Sequence, residues 1–167
     1  MNTAKDWITK LELLPHPEGG YYKEVYRANE KIDKAGLPSR YSSERAFATS
    51  IYYLLESGQF SSFHKLKSDE TWHFYNGSPI AIYLISLSGD YQKIVVGDEI
   101  GKNQLLQHTI ERETWFAAEP LEKNSYSLIG CSVAPGFEFD DFELGKRNEL
   151  LASFTNHSEI ISRLTNG

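Results

Sequence analysis

GQFSSFHKLKSDETWHFYNG, residues 58–77, is the stretch that decides the fold. Residues 59–66 and 70–75 are rich in Phe, Tyr, Trp and Thr, the residue types that strands favour. Lys67-Ser68-Asp69 between them is polar and turn-prone. The pattern predicts a hairpin centred on Lys67, with His64 opposite Glu70 and Ser62 opposite Trp72. Side chains alternate faces with period two, so Phe60, Ser62, His64, Leu66, Glu70, Trp72 and Phe74 share one face. Phe63, Lys65, Asp69, Thr71, His73 and Tyr75 share the other. An imidazole and a carboxylate within reach of each other in aromatic surroundings make a pocket.

Outward from this stretch the chain keeps the same character. Residues 4–14 read as an amphipathic helix, with Thr3 as N-cap and Trp7, Ile8, Leu11 and Leu14 on one stripe. Pro15 and Pro17 stop it. His-Pro-Glu-Gly-Gly at 16–20 is a turn leading into a strand, Tyr21 to Tyr26, and residues 28–44 form a long polar loop. Strands follow at about 46–55, 80–88, 91–96, 105–110, 115–118 and 126–134. Ser88-Gly89-Asp90 makes a hairpin turn and Pro135-Gly136 ends the last strand. From roughly residue 147 the pattern turns helical twice, with Asn156 or Ser158 capping Glu159 to Leu164. About nine short strands, frequent Gly turns and few helices describe one antiparallel sandwich or barrel domain.

Whole-chain quantities narrow the functional classes. A length of 167 residues suits one domain with a substantial core. Net charge is −6 and no long Lys/Arg run occurs, which argues against nucleic acid or an anionic membrane surface as partner. The lone cysteine, Cys131, leaves no internal disulfide. With an N-terminal stretch that lacks a signal-peptide core, it predicts a cytoplasmic protein. Cys131 has no neighbouring His or basic residue in sequence to make it a nucleophile. No Gly-rich phosphate loop opens a helix, so nucleotide-triphosphate and dinucleotide readings fall away.

The spacing Gly58-x5-His64-x-Leu66-x3-Glu70-x6-Gly77 resembles the first motif of the cupin superfamily. The segments HPEGGYYKEVYR (16–27), TSIYYLL (49–55), SFHKLKSDETWHFYNG (62–77) and YSLIGCSVAPGFEFDDFEL (126–144) are similar to one small, functionally uncharacterised cupin branch. The resemblance implies an all-β, single-domain double-stranded β-helix (jelly-roll barrel) with short N- and C-terminal helices. It also implies a homodimer, with Tyr21, Tyr53 and Tyr75 as interface candidates. Metal-binding cupins carry three His and one Glu, the last His in a Pro-x-Gly-x-x-His motif. Here Leu66 stands at one histidine position, and the stretch 111–116 puts Phe116 at another. Two ligands, His64 and Glu70, fall short of the three that catalytic sites use, so neither a metal nor another cofactor is expected.

Three readings follow from that resemblance. In the first, His64 is a general base oriented by Glu70 in a metal-independent epimerase or isomerase acting on a sugar or other small polar metabolite. Deoxysugar-nucleotide epimerases of the superfamily use a barrel histidine in this way. In the second, the protein is a non-catalytic ligand-binding or storage-like cupin. In the third, it is a metal-dependent enzyme with a degenerate site. Ser62, Trp72, Phe74 and Trp115 are candidates to line the cavity, with Tyr52 as an acid partner. Arg27, Arg45 and Glu18 are placed to anchor a polar or anionic ligand at the barrel mouth. His16 belongs to a turn, and His73 has the wrong parity for the site.

Overall fold

Gly19 and Gly20 turn the chain where no other residue fits. Both have positive φ, 120° and 69°, and a Cβ on them would come within 2.1 Å of the Phe60 carbonyl oxygen and 2.5 Å of that of Leu54. The computed structural model describes residues 2–166, and this turn delivers His16 and Glu18 to one end of the barrel they build. In chain order come α1 (Ala4–Leu11), β1 (Leu14–Pro15), β2 (Tyr21–Arg27), β3 (Lys31–Ile32), β4 (Arg45–Ala46) and β5 (Thr49–Glu56). Then follow β6 (Ser61–Leu66), β7 (Glu70–Gly77), β8 (Ile80–Ile85), β9 (Tyr91–Val96), β10 (Gln107–Ile110) and β11 (Trp115–Pro120). The chain ends with β12 (Tyr126–Val133), β13 (Phe142–Leu144), α2 (Arg147–Ser153) and α3 (Ser158–Arg163).

Two antiparallel sheets face each other, one in the order β1-β2-β5-β12-β7-β10, the other β13-β6-β11-β8-β9. Between them lies an apolar core that includes Tyr53, Leu55, Trp72, Ile80, Ile82, Phe116, Ile129 and Cys131. α1 covers the outer face of the first sheet through Trp7, Ile8 and Leu11 on Leu54 and Leu128. α2 and α3 cover the outer face of the second, with Leu150 and Ile161 on Phe63, Tyr83, Trp115 and Ala117. The Thr3 cap forms as expected, as a capping box with Asp6. α1 stops at Leu11 rather than Leu14, because Leu14 and Pro15 pair with Tyr22 and Tyr21 instead.

The hairpin expected at Lys67 does not form. β6 and β7 lie in opposite sheets, and Lys67–Asp69 carries the chain from one sheet to the other. His64 pairs with Phe116 and Leu144, whereas Glu70 pairs with Ile110 and Val133. A polar three-residue link and period-two alternation look the same in both arrangements, so the sequence pattern does not separate them. The facing pairs His64–Glu70 and Ser62–Trp72 are corrected accordingly. Tyr53, an interface candidate, is fully buried with its hydroxyl donating to Gly19 O, and Tyr75 is half exposed on the outer face.

Two β-bulges re-aim side chains at the site. In β2, Val25 is an extra residue between Glu24 and Tyr26 against β5, so Arg27 joins Tyr22 and Glu24 on the cavity side. In β6, Ser62 and Phe63 together oppose Ala117. Ser61 and His64 therefore both turn inward, while Ser62 turns out to donate to Leu164 O.

The segment from 134 to 142 is anchored by a buried ion pair. Arg45 Nε and Nη2 donate to Asp141 Oδ2 and Oδ1 at 2.6 and 2.7 Å, and both residues are buried. Arg45 is thus a structural residue rather than a ligand anchor. Removing one partner strands the other charge away from water. Asp141→Ala should cost about 3–5 kcal/mol in urea denaturation. A loss below about 1 kcal/mol, the range of exposed pairs, would show that water reaches the pair.

Candidate functional site

A cavity of about 290 Å³ opens at the end of the barrel where β2, β6, β7, β12 and the 134–142 segment meet. Its walls are Tyr22, Ile51, Leu66, Val133, Phe137, Phe139 and Phe142. His16, Glu18, His64 and Glu70 also line it, together with Glu24, Arg27, Thr49, Cys131 and Glu138.

Glu18, not Glu70, is the partner of His64. His64 Nε2 lies 3.1 Å from Glu18 Oε2, and both residues are buried. The other ring nitrogen, Nδ1, is 2.7 Å from Ser62 O. A carbonyl oxygen only accepts, so Nδ1 carries a hydrogen. In the neutral ring Nε2 is then a bare acceptor, and its contact with Glu18 needs one shared proton. Burial pushes the Glu18 carboxyl up, against the opposing pull of His16 and Ser61. Burial also pushes His64 down to about 4, against the Ser62 carbonyl. Both shifts favour the uncharged pair, with the proton on Glu18 and donated to His64 Nε2.

The surroundings hold this pair in place. Ser61 Oγ donates to Glu18 Oε1 at 3.0 Å, and Ser62 N donates to Glu18 O at 2.8 Å. His16 Nδ1 accepts from Glu18 N at 3.3 Å, and its ring packs edge-on to Tyr22 with centroids 4.6 Å apart. Burial lowers the His16 pKa as well, against the pull of the Glu18 carboxyl 3.6 Å from Nδ1, and favours the neutral ring. The Phe116 ring sits 4.0 Å from that of His64, and Phe142 closes the other side at 5.3 Å.

Glu70 lines the same cavity without touching His64. Its Oε2 is buried with no hydrogen-bond partner. Burial raises its pKa to about 8, so it is a neutral acid at pH 7. The expected His64–Glu70 dyad is therefore corrected to His64–Glu18.

The remaining sequence candidates divide sharply. Glu18 sits at the heart of the cavity rather than solvated at its mouth. Arg27 lines the cavity but is engaged with Glu24, Glu138 and Phe137 O. Trp72 lies deeper, in the inter-sheet core, and Phe74 packs against that core. Trp115 points outward onto α2 and α3, as alternation requires once Phe116 points in. Tyr52 lies on the outer face beneath α1, against Tyr75. Ser62 faces Leu164. His16, Tyr22, Phe137, Phe139 and Phe142 line the cavity without having been expected to; Gly19-Gly20 directly after Glu18 was the available signal.

A family model described as "Cupin superfamily (DUF985)" matches residues 5–145. The chain belongs to this cupin family. An uncharacterized protein of Saccharomyces cerevisiae is 28% identical over 149 residues, covering 84% of this chain and 74% of the yeast protein. The crystal structure of a Shewanella oneidensis protein is similar at 36% identity and TM-score 0.90, covering 99% of both chains. A hypothetical protein from Leishmania major aligns at 32% identity and TM-score 0.89, over 99% of this chain and 100% of its own. Oxalate decarboxylase from Bacillus subtilis shares the fold alone, at 16% identity and TM-score 0.55, this cupin spanning 36% of that chain. No helix among the described residues is long and apolar enough to cross a membrane.

The donor set does not fit the metal centre that many cupins carry. His64 has both nitrogens engaged by Ser62 O and Glu18, and Leu66 and Phe116 fill two histidine positions with hydrocarbon. No three His, Cys, Asp or Glu side chains among the described residues are arranged to hold a metal ion.

The buried Glu70 yields a stability prediction with a definite sign. Its folded pKa of about 8 lies above the ordinary 4.5, so the folded state holds more protons than the unfolded one between those values. Stability therefore falls as pH rises from 4.5 to 8. Glu70→Gln removes that cost and should stabilise the protein by on the order of 3 kcal/mol at pH 7, with little effect near pH 4.5. Urea denaturation at the two pH values checks it; an equal effect at both would mean that Glu70 is ionised when folded.

Proposed function

We propose that this cupin binds a small polar metabolite in the 290 Å³ cavity and moves a proton on it through the His64–Glu18 pair. The observation that supports this reading is the 3.1 Å Nε2–Oε2 contact, with Nδ1 fixed by Ser62 O. That arrangement stores one mobile proton between two groups whose charged and uncharged forms interconvert by its transfer. When the proton is on Glu18, the carboxyl is an acid; when it passes to His64, Glu18 becomes a carboxylate base backed by an imidazolium. The pair can thus give a proton to one ligand atom and take one from another, as an isomerase or epimerase requires. Glu18 is the group that exchanges with the ligand, and His64 is its proton reservoir, which reverses the order expected from sequence.

Apolar walls exclude water and strengthen the polar contacts at the inner end. Phe116 and Phe142 sandwich the His64 ring and keep its orientation. Glu70 supplies a second, separate carboxyl toward the same space.

The test begins with mass spectrometry of whatever co-purifies with the protein. That molecule, incubated with wild type in D2O, should gain deuterium at one carbon. Glu18→Gln and His64→Phe should each slow the exchange by about 10²–10⁴-fold. Exchange unaffected by both variants would remove the pair from the chemistry. A bound molecule returned unlabelled by wild type would assign the cavity to binding alone.

A further inference from the structure

The cavity is rich in acids and has no cation free to meet an anion. Four glutamates line it, Glu18, Glu24, Glu70 and Glu138, against one cationic side chain among the described residues, Arg27. Four of the five N–H donors of Arg27 are already engaged. Nε and Nη2 donate to the two Glu24 oxygens at 3.0 and 2.8 Å, Nη1 to Glu138 at 2.6 Å, and Nη2 also to Phe137 O at 3.0 Å. His16 and His64 are neutral. Beside this excess of acid stand the rings of Tyr22, Phe137, Phe139 and Phe142, whose faces carry negative charge density. At the inner end the Glu70 carboxyl lines the cavity, its Oε2 without a well-formed hydrogen bond and with only the Trp72 indole and the Cys131 thiol beside it as donors.

Resting on the reading of this cavity as a small-molecule site, we infer that its ligand is a small organic amine bound as a cation. Its ammonium group meets the Glu70 carboxyl where it lines the cavity, and its apolar body lies against the aromatic wall. The ammonium supplies the charged donor that Glu70 lacks, and the rings add cation–π attraction in a desolvated setting. A phosphate or carboxylate would instead meet the Glu24 and Glu138 carboxylates, with Arg27 already bound to both. This argues against the sugar-nucleotide ligand class that the superfamily resemblance suggested.

An ammonium in contact with Glu70 favours its carboxylate form, so binding should release a proton at neutral pH. The titratable groups facing Glu70 are Glu18 and the buried Cys131 thiol, whose own pKa is raised. Neither supplies a positive charge that could ionise Glu70 in the free protein.

Benzylamine, benzyl alcohol and benzoate share one ring and differ in the charge of the attached group. Calorimetry at pH 7 in about 0.15 M salt, where attraction to the net negative surface is largely screened, compares them directly. Benzylamine should bind at least about tenfold more tightly than benzyl alcohol, and benzoate most weakly. Titrations in two buffers of different ionisation enthalpy should show proton release for benzylamine alone. Glu70→Gln keeps the shape, and should abolish both the preference and the proton release while leaving benzyl alcohol unchanged. Benzyl alcohol or benzoate matching benzylamine, or a preference that survives Glu70→Gln, would overturn the cation assignment and leave the cavity standing as a ligand site. Binding by none of the three would overturn both. Loss of deuterium exchange in Glu18→Gln bears only on the proton-transfer reading, because Glu70 is untouched there.

Discussion

Glu18, His64 and Glu70 lie buried at the inner end of one cavity, with no lysine or arginine among the described residues paired to them. Charging any of them means removing an ion from water without a counter-charge to offset the loss. The uncharged forms win, and the rest of the site follows. Burial favours a protonated Glu18 that donates to His64 Nε2, a neutral ring, and a protonated Glu70. The same residues beside a free lysine or arginine would be a fixed salt bridge.

The only buried ion pair in this region of the described chain sits behind the wall rather than in it. Arg45 and Asp141 hold the 134–142 segment against the barrel, and that segment carries Phe137 and Phe139 to the cavity, with Phe142 just beyond. Structural charge and site charge are thus kept on different residues. Arg27 stands between the two roles: it lines the cavity, yet ties Glu24 of β2 to Glu138 and Phe137 O of the aromatic segment. Bound to Glu24 and Glu138, it has no contact with Glu18 or Glu70.

Much of this architecture is legible in residues 58–77 and in the segments around them. Alternation of apolar and polar residues marks the strands, because a sheet residue must face either core or helix. Leu66 and Phe116 show on sequence alone that two imidazoles are missing. His64 is recognisable for the same reason, a ring nitrogen base in an otherwise aromatic strand. Gly19-Gly20 announces a turn that requires positive φ.

What only the tertiary structure decided is who faces whom. Period-two patterning assigns a side chain to a face, but cannot say whether the next strand lies beside it or across the barrel. β6 and β7 went to opposite sheets, and Glu70 went with β7. The bulge at Ser62–Phe63 broke the parity that would have carried Ser62 inward, and the bulge at Val25 brought Arg27 in. Such one-residue slips leave no mark in composition or spacing. They depend on hydrogen bonds to β5 and β11, strands remote in sequence from the residues they re-aim. Glu18 reached His64 through the glycine turn and a hydrogen bond from Ser61, contacts spanning more than forty residues. The sequence determined which groups could do chemistry here, and long-range packing determined which two of them share a proton.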